Sequence, residues 1–216
     1  MFRGYRLAGI CTLAAIALYA VLSGCAATGP RRAPVASLPD SMDVDLRMAE
    51  LEKMALEYPD DPEIFFILGN EYYDQAVPDL AKANYEKAIA LDPEMVKARV
   101  NLAMLVAEVG EPDSARIMLE DVLRTNPGDP RALTDLGTIY YNLKDVDTAV
   151  KYYTAALEFD PNNAEAHYNL GMAFAESGLV LEAIREWRLV LELVSEGDTA
   201  DRARLSLERA DAVLAK

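Results

Sequence analysis

The chain has 216 residues, with 36 Asp or Glu against 21 Lys or Arg and a net charge of −15. A surface this acidic repels phosphate backbones, which excludes nucleic acid as a partner and favours basic or neutral ones. Two cysteines, Cys11 and Cys25, are too few for a disulfide framework, a structural zinc or a thiolate site in the body of the protein.

Residues 1–24 stand apart from the rest. Arg3 and Arg6 make a positive head, and Leu7 to Leu22 is an apolar run of 16 residues without a charge. A spanning helix needs about 20. The run closes on Leu22-Ser23-Gly24-Cys25. A charged head, a short apolar middle and small residues at a cut site mark a secretory signal peptide. The Leu-Ser-Gly-Cys ending resembles the bacterial lipobox. That resemblance implies cleavage before Cys25, a thioether from its thiol to diacylglycerol and acylation of the new amine, with palmitate-type chains. Several chains hold far more firmly than one, since each buried methylene adds about 0.8 kcal/mol. Loss of Arg3 and Arg6 with the leader takes the charge from −15 to −17. With Ala26 rather than Asp after the cysteine, the resemblance to Gram-negative lipoproteins implies export to the outer membrane, facing the periplasm, rather than retention at the inner one. The other reading is an uncleaved signal anchor with an incidental cysteine.

Residues 25–40 carry the candidate lipidated Cys25 and a tether with three prolines and no apolar period, which predicts an extended linker. At roughly 3.3 Å per residue it reaches up to about 50 Å. Residues 41–61 predict an N-terminal capping helix over Ser41 to Tyr58, with Met42, Leu46, Leu51, Met54 and Ala55 on one face. Ser41 or Asp43 starts it and Pro59 closes it.

Residues 62–95, 96–129, 130–163 and 164–197 are one unit of 34 residues written four times. Column 7 reads Leu68, Leu102, Leu136, Leu170, and column 8 reads Gly69, Ala103, Gly137, Gly171. Column 20 is Ala81, Ala115, Ala149, Ala183, and column 24 is Tyr85, Leu119, Tyr153, Trp187. Column 32 holds Pro93, Pro127, Pro161 and then Ser195. Each unit splits into two segments of helical period, in the third copy roughly 130–142 and 145–159. Small residues at columns 8, 20 and 27 let two helix axes approach, and large ones at 7, 11 and 24 fill the space between. The column-32 proline is expected to stop one helix and start the next. Column 4 is irregular, with Phe65, Arg99, Leu133 and His167, and the second copy diverges most.

This register resembles the tetratricopeptide repeat (TPR), over 136 of the 216 residues. The resemblance implies an all-α fold, a right-handed solenoid of antiparallel helix pairs with N- and C-terminal capping helices. The C-terminal cap falls on residues 198–216, where Ala200, Ala203, Leu207, Ala210 and Leu214 make an apolar stripe among charges.

Chemistry is sparse. The single histidine, His167, falls in a packing column, which favours a hydrogen-bonded structural role over a ligand or base. No phosphate loop, metal spacing or nucleophile motif is present, so the sequence points to no enzyme, cofactor or metal. In the TPR family the first helices form a concave wall that binds protein. Carried onto this chain, the wall takes Asn70, Tyr73, Asn101, Met104, Arg131, Thr138, Tyr141, Tyr168, Asn169 and Met172, with Asp74, Thr134 and Asp135 alongside. Asn offers a donor and an acceptor to a peptide backbone. Asn101 and Asn169 are expected to be exposed, so that removing both would leave the melting temperature unchanged. The family's carboxylate clamp is matched by Asn70, Asn101 and Arg131 but broken at Phe66 and Asp135. The expected function is a lipid-anchored scaffold or adaptor that binds protein or peptide segments, for envelope assembly of pilus, secretion or cell-wall machinery. The alternative is a structural or regulatory subunit that forms homo-oligomers through its convex face or terminal helix.

Overall fold

The computed structural model describes residue 39 and residues 42–214. The leader at 1–24, the candidate lipidation site Cys25, most of the tether and Ser41 lie outside the described residues. Among the described residues there are ten helices and no strand. They are α1 (Val44–Glu57), α2 (Pro62–Asp74), α3 (Pro78–Leu91), α4 (Val96–Glu108), α5 (Pro112–Thr125), α6 (Pro130–Asn142), α7 (Val146–Phe159), α8 (Ala164–Glu176), α9 (Val180–Leu193) and α10 (Asp198–Leu214). Packing divides the chain into two units, one ending at Ile64 and the other beginning at Phe65.

In the first unit, Asp43 caps α1: its carboxylate accepts from the backbone N–H of Asp45 at 3.1 Å and of Leu46 at 3.4 Å. Helix α1 therefore begins after Met42. The buried residues are Leu51 and Met54, whereas Leu46, expected on the same face, is 59% exposed.

In the second unit the repeat columns become contacts. Column 20 (Ala81, Ala115, Ala149, Ala183) is sealed in every copy, and so is column 27. The glycines of column 8 exist because an aromatic ring lies on them. A Cβ at Gly137 would stand 2.6 Å from Tyr153, and one at Gly171 2.5 Å from Trp187. In the second repeat, Ala103 replaces the glycine and Leu119 replaces the ring, and both are buried. The divergent copy thus packs by trading volume between two columns.

Column 4 is covered from the second helix of each pair. Lys87 lies 5.4 Å from the Phe65 ring, Arg99 is ion-paired with Asp121, and His167 meets Glu186 at 2.7 Å. Column 15 is the turn between paired helices, where φ is positive at Ala76, Gly110, Lys144 and Gly178. The column-32 prolines do not start helices: Pro93, Pro127 and Pro161 stand in the turns. The prolines at first helical positions include Pro78, Pro112 and Pro130, where the missing N–H has no helical partner to lose.

Each pair packs on the next, and the first helices α4, α6 and α8 also touch in succession. They form one continuous wall. Helix α10 closes the array with Ala200, Ala203, Ser206 and Ala210 buried. Its stripe ends there, since Leu214 is 54% exposed.

Candidate functional site

A cleft of about 380 Å³ opens on the wall at the first three repeats. It is lined by Phe66, Asn70, Tyr73, Asp74, Tyr85, Asn101, Met104 and Arg131. Five residues expected in the groove meet here: Asn70, Tyr73, Asn101, Met104 and Arg131. The ring of Tyr85 lies over Gly69, and its hydroxyl donates to Asn70 Oδ1 at 2.9 Å. Asn101 Nδ2 donates to the same oxygen at 2.7 Å. This leaves Asn101 Oδ1 sealed from solvent with no hydrogen bond.

At the rim, Tyr73 is 40% exposed and donates to Glu108 at 2.6 Å, which pushes its phenol up to about 12. Burial also raises the Tyr85 phenol. Phe66, buried on the floor, has Lys97 Nζ 4.4 Å above its ring. Arg131 is 58% exposed. Tyr85 stands in a packing column, so the sequence does not mark it as a lining residue, and Phe66 enters the sequence reading only as a break in the carboxylate clamp.

The other five expected residues lie elsewhere. Thr138 Oγ1 accepts from Tyr153 at 3.3 Å and from Asn169 Nδ2 at 3.4 Å. This repeats the Asn70–Tyr85–Asn101 arrangement two units later. Tyr141 is half-buried, with Lys144 Nζ 5.7 Å from its ring. Tyr168 lies under Arg202 of α10, whose guanidinium carbon is 4.5 Å from the ring centre. Met172 is half-buried in the same end cluster. Tyr168 and Met172 therefore belong to the seat of the terminal helix rather than to open groove surface. Thr134 is buried and donates to the Pro130 carbonyl at 2.7 Å. Asn101 and Asn169 are half-buried and tied to the preceding repeat, which corrects the expectation of two exposed asparagines.

Between the two polar clusters lies a mismatch. The positions equivalent to Asn70, Tyr85 and Asn101 are there Met104, Leu119 and Asp135. Neither Met104 nor Leu119 can donate. Asp135 Oδ2 is sealed without a hydrogen bond, and Arg131 Nε stands 4.0 Å away. Burial pushes the carboxyl up to about 7, with Arg131 opposing and Glu165 and Asp129 adding to the rise. Among the described residues no group of three or more His, Cys, Asp or Glu is placed to hold a metal ion.

Comparison with known sequences places a tetratricopeptide-repeat profile on residues 72–134 and a second TPR-repeat profile on 137–178. The chain is similar to protein O-mannosyl-transferase Tmtc3 of Drosophila melanogaster, 36% identical over 123 residues, a match that covers 56% of this chain and 13% of that protein. Among solved structures it is similar to TTC0263, a thermophilic TPR protein of Thermus thermophilus, with a TM-score of 0.68 at 22% identity, covering 76% of this chain and 90% of the other. YrrB, described as a TPR protein with an unusual peptide-binding site, matches at a TM-score of 0.51 and 22% identity, covering 74% of this chain and 83% of the other. At these identities the structural likeness is one of fold.

Proposed function

From tetratricopeptide repeats that stack into a solenoid, we propose a lipid-anchored scaffold of the bacterial envelope. It is held at the outer membrane through Cys25, faces the periplasm and grips an extended segment of a protein partner against its first helices. The observation that supports binding is convergence. Asn70, Tyr73, Asn101, Met104 and Arg131 come from three repeats onto one cleft. The peptide-binding site attributed to YrrB gives the same use of this fold. The cleft is lined by side chains that hydrogen-bond and pack, so the chemistry proposed is binding.

Support for the envelope placement is the leader at 1–24 and the Leu22-Ser23-Gly24-Cys25 ending. Among the described residues no helix is long and apolar enough to cross a membrane. Assembly of pilus, secretion or cell-wall machinery is the role such an anchored adaptor would serve. A second reading, self-association, is favoured by exposed leucines on the last helices, with Leu181 at 59% and Leu205 at 46%.

The test is recovery of partners on the full-length protein from native envelope. The Tyr73→Ala/Met104→Ala double variant should lose a stoichiometric partner, with affinity down about tenfold or more, while Leu181→Gln keeps it. A partner retained by the cleft variant and lost by Leu181→Gln would replace the first reading with the second.

A further inference from the structure

Among the described residues, two side-chain acceptors are sealed from solvent without a hydrogen bond: Asn101 Oδ1 and Asp135 Oδ2. They occupy the same column of adjacent repeats, on helices α4 and α6, which touch. Asn101 lines the cleft, and Asp135 lies one turn along α6 from Arg131, which lines it too. The flanking repeat seams each close such a position with a hydrogen bond, Asn101 to Asn70 and Asn169 to Thr138. At the seam between them the carboxylate oxygen Asp135 Oδ2 has no hydrogen bond. A sealed carboxylate oxygen without a hydrogen bond is costly, and the protein's own cation relieves it only in part: Arg131 Nε is 4.0 Å away, beyond hydrogen-bonding reach, on a side chain 58% exposed.

We infer that the seam between repeats 2 and 3 receives a basic side chain, an arginine or lysine of the extended segment that the cleft holds. This rests on the groove reading proposed above and adds the chemistry of its occupant. The incoming cation displaces Arg131 and donates to Asp135 Oδ2. Charge-assisted bonds of this kind are about twice as strong as neutral ones. The net charge of −15 draws a basic segment toward the protein, and Asp74 lines the cleft as a second carboxylate. The raised carboxyl of Asp135 fits the same picture, since a cation within hydrogen-bonding reach favours its ionised form.

The probe is a blocked pentapeptide, acetyl-Ala-Ala-Arg-Ala-Ala-amide, against the same peptide with citrulline, which keeps the shape and removes the charge. Both are titrated into the whole protein and followed by the side-chain amide signals of Asn101 and the Nε–H of Arg131. The arginine peptide should bind about tenfold tighter. Asp135→Asn should abolish that preference, leave the citrulline peptide unchanged and melt no lower than the wild type. Arg131→Gln, which removes the resident cation, should tighten the arginine peptide. Equal binding of both peptides, with Asn101 shifting, overturns the inference and leaves the groove reading standing. A preference retained in Asp135→Asn, or weaker arginine binding in Arg131→Gln, overturns it as well. If neither peptide moves the Asn101 or Tyr73 signals at millimolar concentration, the inference and the groove reading fall together.

Discussion

His167 shows how one side chain settles a column that period alone leaves irregular. Its Nδ1 faces Glu186 Oε2 at 2.7 Å and its Nε2 faces the Pro161 carbonyl at 3.1 Å. Both partners accept, so the ring satisfies both only as an imidazolium. The hydrogen bond to Glu186 holds its pKa above the ordinary 6.5. A folded pKa raised above the unfolded one gives stability that is fully present below 6.5 and is lost as pH rises through the folded value. The gap in melting temperature between wild type and His167→Gln should therefore be wide at pH 5.5 and narrow at pH 8.5. A gap that widens with pH would contradict the charged pairing. Asn101 gives the second residue-scale prediction. Because it bonds Asn70 at 2.7 Å, Asn101→Ala should cost about 0.5–1.5 kcal/mol. That corresponds to a melting temperature lower by about 2–4 °C per kcal/mol, measured by calorimetry. The sequence led to the opposite expectation because a polar residue in a groove column looks solvated. Spacing does not reveal that a tyrosine from the second helix of the preceding repeat passes over Gly69 to join it.

At the scale of the element, most of the packing was legible. Columns 7, 8, 20, 24 and 27 recur because two helices in van der Waals contact demand the same volumes at the same heights, and that demand is written into residue size. Ala149→Leu should therefore destabilise by about 1–3 kcal/mol, since the site is sealed and the added carbons have nowhere to go. An unchanged denaturation midpoint would overturn the assigned register. What size patterns do not encode is partnership between unlike residues. The pairs Arg99 with Asp121 and His167 with Glu186 substitute for a large ring in column 4 by two different chemistries. Helix starts were also partly hidden, since Ser41 and Asp43 are both good caps and only geometry selects Asp43.

For the whole molecule, the proposed anchor and the repeat array are separable. Cys25→Ser should abolish incorporation of labelled palmitate and move the protein out of the membrane fraction or leave an unprocessed precursor. The melting transition of the repeat array should stay where it was, because Cys25 lies outside the repeats and their own columns fill the array's core. Lipid uptake by the variant would remove the lipobox reading while leaving the groove untouched. The candidate site was legible as a wall of first helices, which follows from the resemblance. Its division was not. Whether Tyr168 is open surface or a seat for α10 depends on where Arg202 lands, and no column predicts that.

The alternation of polar and mismatched seams gives the array a grammar for cutting and joining. Repeats 1 and 3 offer Asn70 with Tyr85 and Thr138 with Tyr153, while repeats 2 and 4 answer with Asn101 and Asn169. The true module is therefore a doublet, and the unit of safe recombination is two repeats. Excising residues 96–163 would splice repeat 1 onto repeat 4 and bring Asn70 and Tyr85 against Asn169, a compatible junction. Excising only 130–163 would set Met104 and Leu119 against Asn169 and strand its amide in an apolar seam. The longer deletion should yield a protein that melts cooperatively, and the shorter one, despite keeping more residues, should melt over a broader range and at lower temperature. The reverse order would show that the doublet has no energetic meaning.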